Sequence, residues 1–289
     1  MNHMLFFGFG FSARTLSRGL ARRGWTVTGT SRSTAGVAEI EKLGHRGLIF
    51  DGRAPLAASI FDGITHIVIS IPPGDNGDPV VNLHAEDLAR HARGIRWHAY
   101  LSTTGVYGDR GGEWVDEDSP LAPTTERGRR RLAAERQWLA LHASHGLPVH
   151  IFRLAGIYGP GRNQLISAAD GTARRIVKAG QVFSRIHVED IATVLEASMA
   201  RPNPGAAYNV CDDAPCPPQE VIAYAAQLLG RPPPPEVPFE AAGLSPMARS
   251  FYAESKRVSN RRIKTELGVG LAYPDYRTGL LALRKNFTP

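Results

Sequence analysis

Only two of the 289 residues are cysteine, Cys211 and Cys216. That excludes a disulfide scaffold, and a single C-x4-C pair without nearby histidines is poor evidence for a metal site. The expectation is free thiols in a reducing compartment and no metal. No apolar run approaches the roughly 20 residues a membrane span needs, so no membrane partner is expected. The opening segment, Met1 to Phe7, lacks the basic flank and small-residue cleavage site of a signal peptide and reads as a strand. With nothing addressing the chain elsewhere, the expected location is the cytoplasm. Internal repeats are also missing.

What is present is ordinary for a globular protein: 43% hydrophobic and 21% charged residues. Lysine and arginine total 34 against 27 acids, a net charge of +7. The arginines are spread along the chain, with one dense run from Arg127 to Arg131, and no nucleic-acid motif accompanies them. A basic surface or a cleft for anionic small molecules is therefore expected rather than nucleic-acid binding.

The first half alternates apolar runs with amphipathic stretches. Strands are expected at Leu5–Phe7, Trp25–Thr30, Gly47–Phe50, Thr65–Ile71, Trp97–Ser102 and Val149–Arg153. Helices are expected at Ala13–Arg23, Val37–Leu43, Val80–Arg93 and Arg129–His142. Such alternation predicts an α/β fold, a Rossmann-type doubly wound parallel sheet, with ligands at the carboxyl ends of the strands. After Gly159 the elements shorten and proline clusters. Helices are expected at Val188–Met199, Pro217–Leu229, Ser255–Leu267 and Tyr276–Leu283, with a short strand at Ala207–Val210 and a stiff Pro232–Pro235 connector. This half reads as a smaller C-terminal lobe.

The turn after the first strand reads Gly8-Phe9-Gly10-Phe11-Ser12-Ala13. A G-x-G-x-x-G/A turn needs its first glycine for tightness and its second for close approach to a pyrophosphate. The third small residue lets helix and strand pack. Gly8, Gly10 and Ala13 fill these places, Phe11 and Ser12 stand between them as expected cofactor contacts, and the helix that follows offers N–H groups and a dipole that favour phosphate. The position between strand and helix is the confirming context for a nicotinamide dinucleotide. A cofactor with a free ribose hydroxyl usually meets an acid about 20 residues on. Here the chain reads Thr28-Gly29-Thr30-Ser31-Arg32-Ser33, without Asp or Glu. Ser31 and Arg32 suit a 2′-phosphate, which an acid would repel, so NADP is expected over NAD.

Three further segments resemble the extended short-chain dehydrogenase/reductase family, of the NAD-dependent epimerase/dehydratase kind. They are Leu101-Ser102-Thr103-Thr104-Gly105-Val106-Tyr107-Gly108-Asp109, the stretch Arg153 to Asn163 (Arg-Leu-Ala-Gly-Ile-Tyr-Gly-Pro-Gly-Arg-Asn) and Ile186-His187-Val188-Glu189-Asp190-Ile191-Ala192. The resemblance covers nearly the whole chain. It implies a dinucleotide domain over 1–159 and 186–211 and a small substrate lobe over 160–185 and 212–289. It also implies cofactor contacts from Asp51, Pro72, Pro73, Ser102 and Leu154, and pairing as a homodimer through the helices near Val80–Arg93 and Arg129–His142.

In that family a Ser or Thr, a Tyr and a Lys carry the chemistry, and Thr103 matches the hydroxyl position. The helix pattern Tyr-Gly-x-Ser-Lys-Leu-Ala-Ala-Glu meets Arg127-Gly128-Arg129-Arg130-Arg131-Leu132-Ala133-Ala134-Glu135. Arg127 then stands for the tyrosine and Arg131 for the lysine. Arg131 retains positive charge for the cofactor ribose. Arg127 is no proton donor near neutral pH, because a guanidinium stays protonated.

Tyr107, Tyr158 and His187 are the side chains expected nearby, with a loop-shaping role as the plainer reading. The acidic loop of Glu113, Asp116, Glu117 and Asp118 reads as solvated. Two functions stay open. One is an atypical NADP(H) oxidoreductase or epimerase acting on an anionic small molecule, in which the arginine pair polarises or anchors the substrate. The other is a non-catalytic cofactor-binding sensor or regulator.

Overall fold

The computed structural model describes residues 1–287, apart from the side chain of Met247. The apolar runs of the first half are strands: β1 (His3–Phe7), β2 (Thr26–Ser31), β3 (Arg46–Ile49), β4 (His66–Ile69) and β5 (Trp97–Thr103). With Val149–Leu154 and Ala207–Val210 they form one seven-stranded sheet. Its order is β3, β2, β1, β4, β5, Val149–Leu154, Ala207–Val210, and the pairings from β3 through to β5 are parallel. Central strands such as β1 and β4 are buried on both faces. That is why they read as unbroken apolar runs rather than alternating ones.

Parallel neighbours need crossovers, which α1 (Phe11–Arg22), α2 (Thr34–Glu41), α3 (Pro79–His91) and α4 (Glu126–His145) supply. In α1 the residues Ala13, Leu16, Ser17 and Leu20 recur at helical spacing and, with Ser12, are the buried ones. Asp78 starts α3 by accepting from the backbone N–H of Val80 at 2.8 Å, with Pro79 in the first turn, where a missing donor costs nothing. The apolar core beside α3 and α4 includes Phe7, Phe61, Ile69, Leu88, Tyr100 and Trp138. The chain runs outward from β1 to β2 and β3 on one side and to β4 and β5 on the other. The order reverses between β1 and β4, where such sheets open their ligand crevice.

Two compact units emerge. The first comprises Met1–Thr103, Glu126–Arg153 and Val194–Tyr208; the second comprises Thr104–Thr125, Leu154–Thr193 and the chain from Asn209 onward. By compactness, then, the segments 104–125, 154–159, 186–193 and 209–211 group with the second unit. The family resemblance groups them by ligand instead.

In the second unit, helices Gln164–Asp170, Pro218–Leu228 and Tyr276–Lys285 supply an apolar core of Leu165, Val221, Ala225, Tyr276 and Leu280. Three short parallel ladders complete it. Gly156–Tyr158 pairs with Arg185–His187, Arg175–Val177 with Glu236–Pro238, and Trp114–Val115 with Arg257–Val258.

The last ladder corrects one expectation. Ser255–Leu267 is not a continuous helix; only Arg261–Thr265 is helical. Long-range bonds hold the preceding residues extended. Ser255 Oγ donates to the Gly180 carbonyl at 2.8 Å, and the N–H groups of Arg257 and Ser259 donate to the carbonyls of Glu113 and Val115. No helix among the described residues is long and apolar enough to cross a membrane.

Candidate dinucleotide site

The glycine turn lies at the carboxyl end of β1, held from two sides. Gly8 donates its N–H to Thr30 Oγ1 at 2.9 Å, and Ser70 Oγ donates to the Gly8 carbonyl at 2.7 Å. Gly8 has φ +89°, and a Cβ there would stand 2.7 Å from Ser70 Oγ. Only glycine fits both the backbone and the space. Gly10 differs: a Cβ there would meet nothing within 4 Å. Its outer side is open, as close approach by a ligand requires. Gly10 caps α1 without a side chain, and no acid stands in the first turn. The amides of Phe11, Ser12 and Ala13 find no acceptor among the described residues, since the first turn of a helix has none of its own. Open space, free donors and a positive helix end fit a pyrophosphate.

Ser31 ends β2 half-buried, and Arg32 after it is exposed. Ser33 caps α2, its Oγ accepting from Gly36 N–H at 3.2 Å. A Cβ on Gly36 would fall 2.0 Å from Ser31 Oγ, so the glycine keeps room for that hydroxyl. Asp51, past β3, is exposed and accepts from Arg53 N–H at 2.9 Å. Pro72, beyond β4, is exposed and Pro73 is buried.

At the end of β5, Ser102 is buried and Thr103 half-buried. Helix α4 brings Arg131 against this strand. Its Nη1 donates to the Leu101 carbonyl at 2.6 Å and lies 3.4 Å from Tyr100 Oη, with the guanidinium 5.7 Å from that ring's centre. Burial pushes the Tyr100 hydroxyl well above its ordinary range, against the pull of Arg131. Tyr100 therefore stays a neutral hydroxyl beside a fixed cation. Arg127 lies exposed one turn earlier. Within the dense run, Arg129 and Arg130 engage Glu126 at 3.0 and 3.2 Å, and Arg130 also meets Asp75.

Four residues farther along α4, Glu135 is buried. It accepts from Ser102 Oγ and pairs with Arg153, whose Nη2 lies 2.9 Å from Oε2 and whose Nε lies 3.3 Å from both oxygens. Glu135 was legible only as the last letter of a helix motif. The one local hint of its burial is its place between Ala134 and Trp138, both fully buried.

The remaining candidates belong to the second unit. Leu154 is buried there. Tyr107 donates its hydroxyl to Asn209 Oδ1 at 2.8 Å, and Tyr158 donates to the Asp275 carbonyl at 3.4 Å. His187 Nδ1 accepts from Glu189 N–H at 3.3 Å, and its ring packs 3.9 Å from that of Tyr273. All three are buried, and burial lowers the His187 pKa. Each is engaged in shaping its own unit.

The acidic loop is not uniformly solvated. The Glu117 carboxylate is 3% exposed and accepts from Asn209 N–H at 2.8 Å, with its pKa raised by burial. Both cysteines are free and buried, and no cluster among the described residues could hold a metal.

Residues 80–211 match the profile of the NAD dependent epimerase/dehydratase family. Protein YeeZ of Escherichia coli K12 is 30% identical over 291 residues, covering 95% of this chain and 97% of that protein. A 3-diazoavenalumate denitrifying reductase from a Streptomyces species is 30% identical over 215 residues, covering 68% of this chain and 67% of the reductase. Among solved structures, a conserved protein of unknown function from Silicibacter pomeroyi DSS superposes with a TM-score of 0.91. It is 56% identical, with 99% of each chain covered.

Proposed function

The chain belongs to the NAD-dependent epimerase/dehydratase family, and on that premise we propose that it is an NADP(H)-dependent oxidoreductase acting on a small anionic substrate. The observation that carries this reading is the placement of Arg131. It sits where the family resemblance expects the lysine, and its charge is fixed on the Leu101 carbonyl at the end of β5. That the Streptomyces relative is a reductase favours turnover over a sensor role.

The first unit would hold the cofactor. The α1 amides after Gly10 would take the pyrophosphate, Ser31 and Arg32 the 2′-phosphate, and Arg131 the nicotinamide-side ribose. Asp51, Pro72, Pro73 and Ser102 would line the remainder. When bound, the nicotinamide supplies or accepts a hydride. Thr103 orients the substrate. Arg127 and Arg131 present two permanent positive charges one helical turn apart, which suits an anion or a polarised carbonyl. Neither releases a proton near neutral pH, so the proton must come through a hydroxyl or solvent.

The test pairs binding with turnover. NADP(H) should bind more tightly than NAD(H), and Arg32→Glu should weaken NADP(H) about 10- to 100-fold while sparing NAD(H). Equal binding of the two cofactors by the parent protein overturns the NADP preference. Cofactor absorbance with a panel of carbonyl-bearing acids tests the enzyme: tight cofactor binding with no turnover on any class would favour the sensor.

A further inference from the structure

Arg185 opens the strand Arg185–His187 in the second unit and is 7% exposed. All the hydrogen bonds of its side chain inside the protein leave one nitrogen. Nη1 donates to the carbonyls of Phe183 and Cys216 at 3.0 and 3.5 Å and to Cys216 Sγ at 3.1 Å. Among the described residues no carboxylate reaches ion-pairing distance of it. Nε and Nη2 have no protein acceptor there, yet neither is sealed from solvent. Arg153 is just as buried, at 5%, and is met by both oxygens of Glu135. A guanidinium cannot shed its charge, and a buried charge without a partner is strongly unfavourable. The Nε–Nη2 edge left over is the two-donor fork that a carboxylate fills.

The surroundings narrow the ligand. The charge of Arg185 acts on Tyr158, Tyr252 and Tyr276. The Tyr252 ring stands edge-on to Phe183 at 5.5 Å and lies 5.2 Å from Phe239. Asp212 is 1% exposed with Oδ2 unpartnered, and burial pushes its pKa up to about 7 against the pull of Arg185. Asp213 and Asp275 add to that negative field. A doubly charged phosphate would meet more repulsion here than a single carboxylate.

We propose that Arg185 is the anchor for the carboxylate of an aromatic monocarboxylic acid bound in the second unit, its ring received by the aromatic group around Phe183 and Tyr252. That this acid is the reacting substrate rests on the oxidoreductase reading above; the binding itself does not.

Calorimetric titration of the full chain with benzoate, phenyl phosphate and benzamide, with and without NADP, tests it. Benzoate should bind, phenyl phosphate more weakly, and benzamide not measurably. Arg185→Met should lose benzoate affinity about tenfold or more and Arg185→Lys less, both keeping the parent's NADP affinity. Without ligand, Arg185→Met should be at least as heat-stable as the parent, because it removes an unpaired buried charge.

Benzoate binding that survives Arg185→Met overturns the proposal. So does a preference for phenyl phosphate, or an Arg185→Met defect in stability that Asp212→Asn repairs, which would make Asp212 the true partner. Arg185-dependent benzoate binding without NADP binding would sink the cofactor reading and leave this one standing. NADP binding without benzoate binding would do the reverse.

Discussion

Two buried arginines divide the molecule by purpose. In the first unit Arg153 is enclosed with Glu135, and Ser102 completes the carboxylate's partners. In the second unit Arg185 is enclosed without an acid. A buried charge whose partner comes from the fold acts in the fold's own architecture. One whose partner is missing points outward, to a ligand. The same residue type at similar burial thus carries two meanings, and only the neighbour distinguishes them.

The largest expected effect breaks the paired side. Glu135→Ala leaves Arg153 buried and uncompensated, which should cost about 3–5 kcal/mol in denaturant unfolding. Arg185→Met should cost nothing comparable. If both substitutions destabilise alike, the contrast between the units is wrong.

Acid should act on the buried histidines of the first unit and on Asp212 of the second with opposite sign. Burial holds His98 at about 3, and His66 and His150 at about 4, all in sheet strands of the first unit. The unfolded chain takes up these protons near pH 6.5 and the folded chain does not. Their neutral burial is fully tolerated above pH 6.5, and stability falls as pH drops toward 4. The loss should reach about 1.4 kcal/mol per pH unit per histidine. Asp212, raised to about 7, works the other way. Its contribution is greatest below the unfolded carboxylate range near 4 and is lost as pH rises toward 7. Unfolding of the parent and of His98→Leu at pH 7 and 4.5 should show the smaller acid loss in the variant. A parent whose stability is unchanged between those pH values contradicts the assignment.

The smallest effect sharpens the boundary. Asn163 caps the helix Gln164–Asp170, accepting from Leu165 N–H at 3.0 Å. Asn163→Ala should cost about 1 kcal/mol. Hydrogen exchange should accelerate in that helix while amides of β1 and β4 keep their protection. Acceleration spread evenly through the sheet would show that the units do not open separately.

Much of this was legible beforehand because it is local. Apolar runs and helical spacing located the sheet strands and α1 to α4 to within a few residues, since each pattern repeats inside its own element. The glycine turn was legible for the same reason: its conformation needs particular residues at adjacent positions. The failure at Ser255–Leu267 has the opposite cause. Its spacing allowed a helix, but its backbone N–H groups bond to Glu113 and Val115 and its Ser255 hydroxyl to Gly180, more than 70 residues away.

The sequence by itself determined the α/β order, the glycine turn and the acid-free end of β2, and the family resemblance added the expectation that Arg127 and Arg131 stand in the places of a tyrosine and a lysine. Tertiary structure alone decided which charges are paired. Glu135 meets Arg153, Arg131 rests on the Leu101 carbonyl, and Arg185 is left with an open edge. Periodicity reports which face of an element turns inward. Whether a buried charge finds a counter-charge depends on a second segment of chain, and no local pattern encodes where that segment will lie.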